Sequence, residues 1–87
     1  MRYKISKKIL WKSVDDEIII VDSNSDEYSY LNATASLIWQ LIEKKYTFES
    51  MVEKLSSEYD SPVEKIRNDL TKLINDLFDA GLIEELE

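Results

Sequence analysis

Cysteine and histidine are both absent from this chain of 87 residues, and glycine and proline occur once each. Without cysteine there is neither a disulfide framework nor a thiolate metal site, so packing alone has to hold the fold. Without histidine the chain lacks the side chain that titrates near neutral pH, the usual general acid or base. The single glycine, Gly81, leaves no Gly-rich loop to cradle a phosphate. Apolar runs such as Ile18 to Val21 fall far short of a membrane span. No secretory signal opens the chain, so a cytoplasmic location is the expectation.

Carboxylates are plentiful, but Asp15-Asp16-Glu17 and Asp26-Glu27 sit where turns are expected, and acids in turns are ordinarily solvated. Asp22-Ser-Asn-Ser-Asp26 alternates oxygen-bearing residues like part of a calcium loop, yet lacks the glycine and the distant bidentate glutamate in register. No catalytic residue, metal or cofactor is therefore expected, and the chain is not read as an enzyme.

With 44% hydrophobic and 33% charged residues, the composition is that of a soluble globular protein, read as one domain over residues 1–87. A chain this short buries only about 60–65% of its unfolded surface. Formal net charge is −7, unevenly placed. Arg2, Lys4, Lys7, Lys8 and Lys12 give residues 1–12 a charge of +5 with no acid, which leaves −12 for the rest. That basic end reads either as a strand edge guarded by lysines or as a contact for an acidic peptide or partner enzyme.

The first third alternates like strands. Ile9–Val14, the β-branched run Ile18–Val21 and Tyr28–Leu31 are separated by Asp15-Asp16-Glu17 and by Asp22–Asp26, where Asn24 suits a left-handed turn. Three such strands make a meander that needs a helical layer against one face. The rest of the chain supplies it. Asn32 is an N-cap, and Ala35, Ile38, Trp39 and Ile42 follow at helical spacing, with an end near Glu43–Tyr46. Thr47 caps a second helix whose stripe is Phe48, Met51, Val52, Leu55 and Tyr59. Ser61-Pro-Val-Glu64 has the form of a capping box with proline at the first helical position. A third helix then runs to Ala80, Gly81 takes the left-handed position after it, and Leu82-Ile83 folds back onto the core. The predicted class is α+β and winged-helix-like, a three-stranded antiparallel sheet followed by three helices.

On the third helix Val63, Ile66, Leu70, Leu73, Ile74, Leu77 and Phe78 spread an apolar arc of about 140°, wide for a one-sided surface helix. Full burial would account for it. So would a groove beside the third strand, where a guest peptide adds to the sheet edge through its main chain. Tyr28 and Tyr30 suit such an edge, offering area with a polar tip, and Asp69 and Asp76 flank the arc to read a polar or basic guest residue. A winged-helix nucleic-acid-binding or regulatory protein is the alternative. Residues 61–80 weigh against it, because Lys65, Arg67 and Lys72 stand against Glu64, Asp69, Asp76 and Asp79 for a net −1. The sheet also precedes the helices, where a wing should follow the third.

The run Tyr30-Leu-Asn-Ala-Thr-Ala-Ser-Leu-Ile-Trp39 resembles the LN-x-T-A-x-x-I-W signature of the PqqD-like proteins, the recognition elements of ribosomal peptide biosynthesis. Thr47-Phe-Glu-Ser-Met-Val52 with Leu55 and Tyr59, Asp69-Leu70, Leu73, Leu77 and Gly81-Leu-Ile-Glu84 extend the match to about residues 9–84. The family commonly has a glycine in the turn before the third strand, where this chain has Asp22-Ser-Asn-Ser-Asp-Glu27. The resemblance implies a non-catalytic domain that binds the leader segment of a precursor peptide and delivers it to a leader peptidase or other modifying enzyme. It puts leader pairing on Glu27, Tyr28, Ser29, Tyr30 and Leu31, and the groove on Ile66, Asp69, Leu70, Leu73 and Asp76. Leu31, Asn32, Ala35 and Trp39 fall to cap and core. With no fused enzyme the chain is similar to the stand-alone form, with lasso-peptide maturation favoured over pyrroloquinoline quinone or other radical-enzyme pathways.

Overall fold

Trp39 is wholly buried, and around it the helical two thirds of the chain closes over the strands. The structure, a computed structural model, describes residues 2–22 and 27–86. Its elements run β1 (Arg2–Ile5), β2 (Ile9–Val14), β3 (Glu17–Asp22), β4 (Glu27–Leu31), α1 (Ala33–Glu43), α2 (Phe48–Glu58), α3 (Val63–Asp79) and β5 (Ile83–Leu86). The three expected strands are β2, β3 and β4, an antiparallel sheet in that order, and the three expected helices follow them. The turn expected around Asn24 lies outside the described residues.

Between β2 and β3 the chain reverses through Asp15 and Asp16, both at positive φ (49° and 67°), so that Val14 pairs with Glu17. Two consecutive left-handed residues form the type I′ geometry whose twist matches paired strands, and aspartate tolerates it without glycine. Register then sorts the faces. Trp11, Ile18, Ile20 and Leu31 turn toward the helices, and Trp11 meets Trp39 edge to face with ring centroids 6.0 Å apart. The opposite face carries Leu10, Lys12, Val14, Ile19, Val21, Tyr28 and Tyr30, of which Leu10, Tyr28 and Tyr30 are each about two-thirds exposed.

The helix ends follow local chemistry. Asn32 Oδ1 accepts the Ala35 N–H at 2.8 Å and caps α1. Thr47 and Ser50 form a reciprocal box at the start of α2, Thr47 Oγ1 accepting from Ser50 N at 3.1 Å and Ser50 Oγ from Thr47 N at 2.8 Å. The box expected at Ser61–Glu64 does not form, because Pro62 rather than Ser61 occupies the N-cap and no side chain caps α3. Ser61 is thereby one residue too early for its hydroxyl to meet the first-turn N–H groups. Both α1 and α3 close with paired bonds of the Schellman type. Lys45 N donates to Ile42 O and Tyr46 N to Leu41 O, while Gly81 N donates to Phe78 O and Leu82 N to Leu77 O. Arg67 of α3 grips Glu49 of α2 with both guanidinium nitrogens, and this bond holds the Glu49 carboxyl below its ordinary range.

The termini hold the one feature that periodicity did not predict. β1 and β5 pair as a separate two-stranded antiparallel sheet, with Tyr3 opposite Glu85 and Lys4 opposite Glu84. Arg2 and Lys4, two of the five basic residues at this end, therefore lie on a strand set against an acidic one, with Tyr3 and Ile83 buried beneath. Burial, then the nearby Glu85 carboxylate, raises the Tyr3 phenol above its usual range.

Two substitutions test the helix ends. Lys45 holds φ 69° with a side chain, whereas Gly81 holds φ 75° with none and open space where a Cβ would stand. Lys45→Gly should raise stability by about 0.5–1 kcal/mol, and Gly81→Ala should lower it by about 1–2 kcal/mol through backbone strain alone. Urea denaturation midpoints at constant m-value check both. Acidification should weaken the α2–α3 clasp in one direction only. The Glu49 contribution is present above the ordinary glutamate range and is lost as pH falls through its depressed value, which Glu49→Gln removes from the pH-stability profile.

Candidate functional site

Strand β4 pairs with β3 on one side only, and among the described residues no strand covers its other side. Its sequence, Glu-Tyr-Ser-Tyr-Leu, contains no lysine or proline of the kind that blunts an edge, whereas the opposite edge, β2, carries Lys12. Main-chain N–H and C=O groups along β4 are thus available to a further strand. Ser29 stands opposite the buried Ile20, on the core-facing side of the sheet, yet is itself exposed. The helical layer therefore reaches the end of β4 at Leu31 but leaves its middle uncovered on the inner side.

A cavity of about 320 Å³ opens where the chain leaves β4 through Asn32 and enters α1. One wall is α1, with Ala35 and Ile38, and the other is α3, with Ile66, Leu70 and Leu73; Leu55 and Tyr59 close the α2 end. Leu70 and Ile38 are almost wholly buried and form the floor, whereas Leu73 is half-buried. The rim is polar, with Thr34, Ser61, Lys65 and Asp69. Lys65 Nζ donates to Asp69 Oδ2 at 3.0 Å, one turn apart along α3, with both side chains about two-thirds exposed. A pair so exposed contributes little to stability and is free to exchange partners. An apolar floor, a rim bearing one ion pair and an adjoining strand edge suit an extended peptide that inserts side chains while its main chain pairs.

Four of the residues expected in the groove, Ile66, Asp69, Leu70 and Leu73, line this one cavity. Asp76 does not; it lies exposed farther along α3. Glu27 to Leu31 form the adjoining edge rather than the cavity wall, with Tyr28 and Tyr30 on the outer face and Ser29 and Leu31 on the inner. Sequence spacing puts the α1 and α2 contributions, Ala35, Ile38, Leu55 and Tyr59, on core stripes. Their periodicity places them on inward faces, and periodicity cannot tell a packed inward face from one that borders a void. The described residues contain no group of three or more acidic, His or Cys side chains placed to hold a metal ion. No helix among them is long and apolar enough to cross a membrane.

The family model described as "Coenzyme PQQ synthesis protein D (PqqD)" matches residues 17–83. The chain belongs to the PqqD family. No curated protein matches it significantly in sequence. Two solved structures resemble this PqqD-family chain along nearly its whole length. "TbiB1 in Complex with the TbiA(beta) Leader Peptide" is 27% identical, with a TM-score of 0.89 over 97% of this chain and 98% of the other. "Lasso peptide synthetase B1 complexed with the leader peptide" is 25% identical, with a TM-score of 0.88 over 98% of this chain and all of the other. Both neighbours are thus proteins solved with a leader peptide bound.

Floor and rim should separate in a stability measurement. Leu70→Ala, at 1% exposure, should cost about 2–5 kcal/mol by cavity formation. Asp69→Asn, on the exposed rim, should change stability by less than about 0.5 kcal/mol. Chemical denaturation of both variants checks the division.

Proposed function

We propose that this chain binds the leader segment of a ribosomally synthesised precursor peptide and delivers it to a modifying enzyme or leader peptidase, with no chemistry of its own. The leader adds as a strand to Glu27–Leu31, and its side chains enter the groove formed by Ile66, Asp69, Leu70 and Leu73, with Asp76 beyond its end. The single observation that carries this is the unpaired edge of β4 adjoining, through Asn32, an apolar cavity between α1 and α3. The leader peptides bound to both structural neighbours support the same reading, and because one of those neighbours is a lasso peptide synthetase B1, lasso-peptide maturation is the pathway proposed.

Residues 1–87 act as one domain that works in the cytoplasm, where precursor and enzyme meet. Holding the leader raises the effective concentration of the precursor at the enzyme and fixes its register. The absence of histidine and cysteine from the sequence fits a role in presentation rather than catalysis. Duplex DNA is disfavoured as a ligand by the acid-rich third helix and the net charge of −7.

A fluorescent TbiA(beta) leader peptide, with the leader of any precursor encoded beside this gene as a second probe, should bind saturably in an anisotropy titration. Leu73→Ala should weaken that binding by about tenfold and Asp69→Ala by about threefold, whereas Lys54→Ala, on α2 outside the groove and paired with Glu58, should leave it within about twofold. Absence of saturable binding by either leader, or equal effects of all three substitutions, would sink the assignment. Tight duplex DNA binding with a steep salt slope would instead restore the nucleic-acid reading.

A further inference from the structure

Ser36 is 1% exposed, and its hydroxyl joins three elements. Oγ accepts the backbone N–H of Ile18 at 2.9 Å and donates to the carbonyl of Leu31 at 3.1 Å. Ile18 and Leu31 are register partners across β3 and β4, so one oxygen atom of α1 stands between the amide of one strand and the carbonyl of the other. Leu31 is the last residue of β4, and Asn32, which follows it, caps α1 and lines the cavity. Ser36 itself lines no part of that cavity.

We infer that Ser36 is a positioning residue for leader binding, setting the distance and angle between the β4 edge and the α1 wall of the groove. The inference rests on the function proposed above and deepens it. A leader that pairs with β4 and at the same moment places side chains between α1 and α3 needs those two surfaces in fixed relation. Any slack between them has to be removed on binding and weakens affinity. The bridge removes that slack in advance. It sits at the corner where strand becomes helix, and it engages the amide of the wholly buried Ile18, which has no water as a replacement partner, together with the carbonyl of the half-buried Leu31. An alanine at this position fills nearly the same volume and loses both bonds, so the end of β4 is released from β3 and from α1 together.

The test pairs Ser36→Ala with Val52→Ala, a core truncation on α2 that lies outside the groove. Both are measured at a temperature where circular dichroism shows them fully folded, using the same labelled leader peptides. In S36A the amides of Ile18 and of β4 should exchange with deuterium faster relative to those of α2, and the leader Kd should rise about tenfold. V52A should leave Kd within about twofold despite its lower stability. Should S36A not fold, Ser36→Cys keeps a similar volume with a weaker donor and acceptor, and its Kd should rise by a smaller factor. An unchanged Kd in the folded Ser36 variant, or equal shifts in it and V52A, would overturn the positioning role while leaving leader binding intact. Failure of the wild-type protein to bind either leader would overturn the functional reading itself, and this role with it.

Discussion

The seating of α1 on the inner face of β3 is the contact on which the rest of the molecule depends. Ile18 and Ile20 from the strand meet Ile38, Trp39 and Ile42 in one core cluster, with Trp11 edge-on to the Trp39 ring. A three-stranded meander with one bare face has no stability of its own, and in a chain this short few other apolar surfaces are available to cover it. The same seating brings the start of α1 against the end of β4. The strand's free edge and the cavity between α1 and α3 thereby become neighbours.

From that contact the remaining architecture follows in sequence. The Schellman turn at Lys45 and Tyr46 ends α1, the Thr47–Ser50 box starts α2 almost at once, and Arg67 ties the beginning of α2 to α3 through Glu49. α3 is then held along one side and left open along the other, where Ile66, Leu70 and Leu73 face the cavity. The terminal sheet of β1 and β5 fastens both ends of the chain to this frame, through contacts of β1 with α1 and β5 with α3. Among the described residues, the edge of β4 and the outer face of the sheet stay uncovered within this frame.

Much of this was legible in the residues. The strand-to-helix switch at Asn32 carries its own signals, alternation before and 3.6-residue spacing after, with a capping side chain between them, and the structure follows them closely. Gly81 likewise announces the end of α3. The β1–β5 sheet was not legible, because its strands are four residues each, heavily charged, and paired across nearly the full length of the chain. No local pattern encodes such a partner. Ser61-Pro-Val-Glu64 misled for a different reason: it has the composition of a capping box, but the proline takes the N-cap position itself. At the site, sequence indicated the α3 contribution and the edge strand. It was silent on the opposing wall, since whether Ala35 and Ile38 touch a neighbour or a void is decided by the spacing of helices. Ser36 is the sharper instance, a residue with no distinguishing context in sequence whose hydroxyl bridges a backbone pair some distance away along the chain.

The outer face of the sheet sets a colloidal condition on the protein. Leu10, Val14, Ile19, Val21, Tyr28 and Tyr30 form an apolar field interrupted by Lys12 near its middle and bounded by Glu17 at one end. At neutral pH a net charge of −7 keeps copies of the molecule apart despite that field. The calculated isoelectric point is about 4.5, and near that pH the mutual repulsion disappears while the apolar field stays as it was. The solution behaviour of this small protein is thus governed by surplus carboxylates spread over the rest of its surface, which do at a distance what no side chain does by covering the sheet.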